Sequence, residues 1–297
     1  MNVLSLFDGI SCGRVALDRA GIKVDNYYSS EIDKYAITVS QKNYPDIIRL
    51  GNVVYVEDVP NIDLLIGGSP CQGFSFAGKQ LNFQDPRSSL FFEFVRLLEK
   101  TKPKYFLLEN VKMKQEYQDI LSGYLGVKPI EINSSLVSAQ NRKRLYWTNI
   151  PNVEQPEDKK ILLNDIVLDD VFPIALHNLY GGFKETSVRV FQDKSPTLRT
   201  AAGGGHIPSF VKKDLINNEE FIKDNNFDGS VANFFKGVSY NEFKDWDCIR
   251  KFHPIECERL QTLPDGYTEG ISDTQRYKCI GNGWTVDVIA HILKGIK

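Results

Sequence analysis

The sequence predicts an α/β fold, a doubly wound, mostly parallel sheet accompanied by a smaller, loop-rich, β-containing second domain. Three observations predict it. Short apolar runs alternate with helical spacings through the first half of the chain, which is the pattern of a parallel sheet covered by helices on both faces. That regularity breaks after about Pro151, where Asn, Asp, Gly and Pro accumulate around short apolar runs until roughly Lys251. Helical spacing then resumes in the tail from Thr285 to Lys297, with Val286, Ile289, Ile292 and Leu293 on one face, so the tail can return to the first domain. The division expected is 1–170 plus 277–297 for the sheet-bearing domain and 171–276 for the second domain.

The elements follow in order. Val3–Phe7 is a strand, Gly9 to Gly13 a loop, and Arg14–Ala20 a helix closed by Gly21 at its C′ position. Val24–Ser30 is the second strand, and Ile32–Asn43 a helix that ends before Tyr44-Pro45. Ile62–Ile66 is a buried strand emptying into Gly67-Gly68. Asp85-Pro86 reads as an N-cap with proline at N1, opening an amphipathic helix over Arg87–Lys100. Tyr105–Leu108 and Leu145-Tyr146-Trp147 are further strands.

Composition narrows the class. The chain has 297 residues, 42% hydrophobic and 25% charged, with a formal net charge of −2, so any surface for a polyanion must be a local cluster of Lys and Arg. No apolar run approaches the roughly 18 residues of a membrane span. Met1 to Phe7 has no basic leader and does not read as a signal peptide. The five cysteines are scattered and never spaced as CxxC, which argues against a disulfide framework and a structural zinc site. With four histidines and no His/Cys cluster, no metal is expected, and a reducing cytoplasmic setting is the default.

Four constellations carry chemistry. Phe7-Asp8-Gly9-Ile10-Ser11-Cys12-Gly13 closes the first strand, where glycines let backbone approach a ligand and a helix N-terminus offers free N–H groups. Glu31, about 20 residues on, can accept both hydrogen bonds of a ribose diol, or simply be a solvated acid at a helix start. Cys71, in Gly68-Ser69-Pro70-Cys71-Gln72-Gly73-Phe74-Ser75, is either a loop nucleophile or a small buried thiol. Glu109, in Leu107-Leu108-Glu109-Asn110-Val111, ends a strand as an acid or an ion-pair partner, and Gln140-Asn141-Arg142-Lys143-Arg144 is a site or a solvated basic turn.

Taken together and in order, Phe7-x-Gly9, Pro70-Cys71-Gln72, Glu109-Asn110-Val111, Gln140-x-Arg142-x-Arg144 and the closing segments Ile255–Tyr267 and Gly281-Asn282-Gly283-Trp284 resemble the motif set of the DNA cytosine-5 methyltransferases. The likeness covers about residues 1–150 and 250–297. Gln72-Gly73-Phe74-Ser75 is typical of the bacterial and phage members, while Asp8 and Trp284 resemble the Dnmt3-like branch.

The resemblance implies a Rossmann-like fold that uses S-adenosyl-L-methionine and double-stranded DNA. It implies that Cys71 adds to C6 of a cytosine flipped out of the duplex, which makes C5 nucleophilic toward the methyl group. Glu109 would hold the N3/N4 edge and donate a proton at N3, which needs a carboxyl that keeps its proton in a dry pocket. Arg144 would grip O2, Arg142 would support the pocket, and Gln72 and Ser75 would touch DNA. On the cofactor side the resemblance implies Phe7, Asp8, Gly9, Ile10, Gly13, Glu31, Ile32, Val53, Pro70, Asn282 and Trp284. Asn52 stands where the family usually has Asp. Its amide oxygen can still accept from adenine, with Asp58 as the competing candidate.

The second domain would recognise the target sequence, with Thr197, Leu198 and Arg199 as DNA contacts, Arg because its fork suits guanine. The alternative for that segment is an ordinary turn of a small β-rich domain. A cytoplasmic monomer, with a restriction endonuclease acting on the same site, completes what the likeness implies. Two other readings stand beside it, a tRNA cytosine-5 methyltransferase and a non-catalytic DNA-binding homologue. The first usually carries Cys-Phe-Thr, which this chain lacks, and the second typically loses the nucleophile or acid, which this chain keeps.

Overall fold

The computed structural model describes residues 1–57, 59, 61–70, 89–179, 187–199, 207–216, 230–239 and 246–296. The chain divides into two compact units, Met1–Asn133 with Lys143–Pro156 and Trp284–Lys297, and Ser134–Arg142 with Glu157–Gly283. These limits differ from the 171–276 division read from composition. The segment before Lys143 is tied to the second unit by bonds of Asn141 with Ser195 and of Gln140 with Leu198, which composition does not register.

In the first unit, β1 (Asn2–Leu6), β2 (Asn26–Ser30), β3 (Ile48–Arg49), β4 (Leu64–Gly67), β5 (Tyr105–Val111), β6 (Ile130–Asn133) and β7 (Lys143–Thr148) form one sheet in the order β3-β2-β1-β4-β5-β7-β6. The pairs from β3 through β5 are parallel, and β7 runs antiparallel to both β5 and β6. Every residue of β4 is buried, as is nearly all of β1 and β5, because helices cover both faces of a parallel sheet. On one face Leu4, Leu6, Leu65 and Leu108 pack with Phe91 and Phe94 of α3 (Ser89–Thr101) and with Tyr117 and Leu121 of α4 (Gln115–Leu125). α1 (Cys12–Arg19) packs beside the tail helix Val286–Leu293. Arg19 and Asp287 are joined by an ion pair of 2.5 Å. α2 (Lys34–Asn43) starts on Asp33, whose carboxylate accepts from the backbone of Tyr35 and Ala36.

The strand order reverses between β1 and β4, and in such sheets ligands lie beyond the carboxyl ends of the strands at that switch. The register makes this concrete. Ser30, Leu6, Gly67 and Leu108 form one row across β2, β1, β4 and β5. The next residue of each strand is Glu31, Phe7, Gly68 and Glu109, so three sequence-predicted residues, and the loop that leads to Pro70, come to one edge.

The second unit holds β8 (Val171–His177), β9 (Arg189–Phe191), β10 (Ser209–Lys212) and β11 (Ile249–Lys251), an antiparallel sheet in the order β11-β10-β8-β9. Its core contains the stacked rings of Phe210 and Phe252, 4.0 Å apart, with Ala175, Leu198 and Leu260. Two buried glutamates brace it. Glu256 pairs with Arg250, and Glu258 accepts from Gly266 N, Thr268 and Arg276. No described helix is long and apolar enough to cross a membrane.

Candidate active site

Phe7 ends β1 by turning to φ +56°, and Gly9 follows at φ +57°. No atom stands within 4 Å of where a Gly9 Cβ would be, so glycine is needed there for its conformation and leaves open space beside the turn. The Gly9 N–H donates to Glu31 Oε2 at 2.8 Å, while Glu31 Oε1 accepts from Ile32 N at 2.7 Å and Asp33 N at 2.8 Å. Three N–H groups thus fix the carboxylate just past β2. Ile32, next to it, is 72% exposed.

Asp8 has another role from the one expected. Its Oδ1 accepts from Ser5 Oγ at 2.6 Å and Tyr27 OH at 2.7 Å, and its Oδ2 from Ser11 Oγ at 2.5 Å and Ser29 Oγ at 2.9 Å. Four hydroxyl donors occupy the roughly four acceptor sites of a carboxylate, so the side chain holds the turn from beneath. Ser11, spent on Asp8, leaves α1 without a side-chain cap, and the helix starts at Cys12, two residues earlier than expected. Ile10 and Val53 are buried core residues. Asn52 Oδ1, the expected adenine acceptor, accepts from Val54 N at 3.1 Å and caps the short turn Val53–Tyr55.

β5 runs three residues further than expected, so Glu109 lies within the strand. β7 likewise starts early enough to contain Lys143 and Arg144, in place of a basic turn. The register sets Glu109 opposite Tyr146 and Val111 opposite Arg144, which makes Glu109 and Arg144 diagonal neighbours on one face. Arg144 Nε lies 2.9 Å from Glu109 Oε1, with both side chains largely buried. Trp284 Nε1 donates to Glu109 Oε2 at 3.1 Å, a partner that nothing in the sequence signalled. Asn110 Nδ2 reaches Ser69 Oγ at 3.3 Å and ties β5 to the loop that enters Pro70. Pro70 is exposed. Cys71, Gln72, Ser75, Asp58 and the Asp85-Pro86 cap lie outside the described residues.

In the second unit Arg142 is buried, and its guanidinium donates to the carbonyls of Leu198 at 3.0 Å, Gly281 at 3.2 Å and Gly283 at 3.1 Å. It is a strut between three backbone segments. Thr197 Oγ1 donates to Asn141 O at 2.6 Å and the Leu198 N–H to Gln140 Oε1 at 2.9 Å. The Leu198 side chain is in the core, which removes it as a DNA contact. Of that trio only Arg199 is exposed. Asn282 is exposed at the end of the helix Asp273–Asn282. Among the described residues no group of His, Cys, Asp and Glu is arranged to hold a metal ion, and Cys12, Cys248, Cys257 and Cys279 are buried thiols. Burial beside Glu256 and Glu258 pushes the Cys257 thiol well up, so it stays protonated.

Comparison with known proteins decides the family. The sequence matches the family described as C-5 cytosine-specific DNA methylase over residues 1–120 and 134–297. The chain belongs to that family. It is 31% identical to the type II methyltransferase M1.ScrFI of Lactococcus lactis subsp. cremoris, over 97% of this chain and 75% of that protein. It is 28% identical to the type II methyltransferase M.HhaI of Haemophilus parahaemolyticus, over 100% and 94%. Among solved structures, the methyltransferase EhMeth of Entamoeba histolytica shares the fold with a TM-score of 0.72 at 18% identity, over 99% of this chain and 97% of that one. The protein is therefore a DNA (cytosine-5-)-methyltransferase of the bacterial kind, and S-adenosyl-L-methionine is its methyl donor.

Proposed function

We propose that the first unit is the catalytic domain, with Cys71, Glu109 and Arg144 acting on a cytosine flipped out of duplex DNA, and that the second unit recognises the target sequence. The observation that carries this reading is the row of Glu31, Phe7, Gly68 and Glu109 along one sheet edge, with Arg144 2.9 Å from Glu109. The acid and the cation that the chemistry of a cytosine ring requires are thus already together on β5 and β7.

The residues present fit S-adenosyl-L-methionine. Glu31, fixed by three N–H groups, keeps about one acceptor site, on Oε2, for a ribose hydroxyl, exposed Ile32 offers an apolar face to adenine, and Gly9 leaves space for a close approach. When bound, the cofactor supplies a methyl group on a sulfonium, an electrophile for C5. The remaining chemistry belongs to this chain. The Cys71 thiolate forms a bond to C6 as a proton passes from Glu109 to N3, leaving an enamine that is nucleophilic at C5. Arg144 holds O2 in register. After methylation a base removes the C5 proton, the C6–S bond breaks, the thiolate leaves, and N3 returns its proton to Glu109. Asp8 and Arg142 act by position, the first beneath the cofactor turn and the second as a strut in the second unit. Arg199 is the DNA contact we retain from its trio. The setting is the cytoplasm, and a restriction endonuclease of the same specificity is the partner this reading suggests.

The test is transfer of tritium from labelled S-adenosyl-L-methionine to cytosine-containing duplexes, with bisulfite sequencing of DNA from expressing cells to give the target sequence. Wild-type protein should label DNA and form a denaturant-stable adduct with a 5-fluorocytosine duplex, whereas Cys71→Ser should do neither. Methylation by Cys71→Ser would sink the mechanism, and label passing to tRNA but not DNA would reassign the substrate.

A further inference from the structure

Three segments far apart in sequence meet at one hydrogen bond, the 3.1 Å contact from Trp284 Nε1 to Glu109 Oε2. Gly68 makes room for the indole. A Cβ on Gly68 would lie 2.9 Å from Trp284 Nε1 and 3.1 Å from Glu109 Oε2, which are the donor and the acceptor of that bond. A Cβ on Gly13 would lie 3.4 Å from Trp284 Cζ3, and only 2.5 Å from Ile66 Cδ1. Neither glycine has the positive φ that would explain it on backbone grounds, so what these positions require is the absence of a side chain.

We infer that Trp284 is the positioning residue for the Glu109 carboxyl, and that Gly68 is bare so that the indole N–H can reach it. The inference rests on the reading of Glu109 as the acid that serves cytosine N3. A terminal carboxyl torsion is broad, so a glutamate needs a partner to present one oxygen in a fixed direction. Here the two oxygens have different partners. Oε1 faces the Arg144 guanidinium, and Oε2 faces an indole that can only donate. When Arg144 turns to the cytosine O2, Oε1 is released toward the base and takes up a proton from water, while Oε2 stays anchored. The O–H bond at Oε1 breaks, the N3–H bond forms, and the negative charge left on the carboxylate is held at Oε2 by the Trp284 N–H.

Trp284→Phe keeps a ring in the slot and removes the donor, and Gly68→Ala pushes a methyl against both atoms of the bond. Both variants are assayed by steady-state methylation of a duplex and by the rate of adduct formation with a 5-fluorocytosine duplex. Trp284→Phe should lower kcat and the adduct rate by roughly tenfold or more, the equivalent of a hydrogen bond to a charged group, with the KM for S-adenosyl-L-methionine within about twofold. The double variant should be no slower than the slower single one, because both changes act on the same bond. A raised cofactor KM with unchanged kcat and adduct rate would assign Trp284 to the cofactor alone and overturn the inference, as would multiplicative effects in the double variant. If Gly68→Ala does not fold by thermal melting, Trp284→Phe decides the question alone. A wild-type protein that formed no adduct would overturn the reading of Glu109 and this inference with it, whereas an active wild type with an unaffected Trp284→Phe would overturn only the inference.

Discussion

Asp8 accepts hydrogen bonds from Ser5, Ser11, Tyr27 and Ser29, and the hydroxyl of Ser11 also meets Ser40 at 2.5 Å. Truncating the acceptor strands buried donors, which costs more than losing any one bond. Asp8→Ala should therefore lower the unfolding free energy by about 3 kcal/mol and Tyr27→Phe by about 1 kcal/mol. Denaturant midpoints measure both, and an Asp8→Ala loss below that of Tyr27→Phe would show that the turn is held by something else. At this scale the sequence singled out Glu31, Glu109 and Arg144, and the strand register brings Glu31 and Glu109 to one row with Arg144 beside Glu109. The sequence was illegible wherever a polar side chain serves the backbone. Asp8 resembles a cofactor ligand and props up the turn instead, and Arg142 resembles a site residue and braces three carbonyls. Serines and tyrosines at strand positions give no hint of a shared partner until the strands are paired.

Elements were legible where apolar runs are continuous and flanked by glycine or proline. β1, β2, β4 and α2 fall within two residues of their expected limits at each end. Short or half-polar elements were missed. β3 has two residues, β6 has only one buried position, and α4 sets half-buried Gln118 and Ser122 beside its buried Tyr117, Leu121 and Leu125. β5 was cut short because Glu109 and Asn110 look like a strand end, yet the ladder with β7 continues through both. α2 offers a test at this scale. Its N-cap Asp33 accepts from Tyr35 N at 2.9 Å and Ala36 N at 3.3 Å, and the preceding Glu31 carboxylate accepts from Asp33 N, so one turn both starts the helix and orients the expected ribose ligand. Asp33→Ala should cost about 1 kcal/mol by chemical unfolding, the usual worth of such a cap. Because the Asp33 N–H remains, cofactor affinity measured by calorimetry should change less than twofold.

For the whole molecule, the shift in composition after Pro151 announced a second domain but not its limits, since a chain can re-enter a unit through single hydrogen bonds that leave no compositional trace. Charge is similarly local. The formal net charge of −2 predicts little, whereas particular ion pairs, one in each unit, predict how stability follows pH. Arg14 Nη1 lies 2.9 Å from Asp46 Oδ2 and holds that carboxyl below its usual range. Arg259 grips Asp265 through two bonds, of 2.9 and 2.6 Å, with the same effect. A carboxyl whose folded pKa is depressed stabilises the fold fully above its unfolded value of about 3.9, and that contribution disappears as pH falls through the folded value. Both aspartates are at least half exposed, so solvent screening limits each pair to under about 1 kcal/mol. The pairs share no partner, and their effects should add. Asp46→Asn with Asp265→Asn should thus lower stability at pH 7 by about 1 kcal/mol in total, with the gap from wild type starting to shrink near about pH 4, closing as pH falls through the depressed folded values, and smaller in high salt. Denaturant unfolding across that range measures it, and a gap that persisted undiminished at the acid end would show that the two carboxylates act through packing and not through charge.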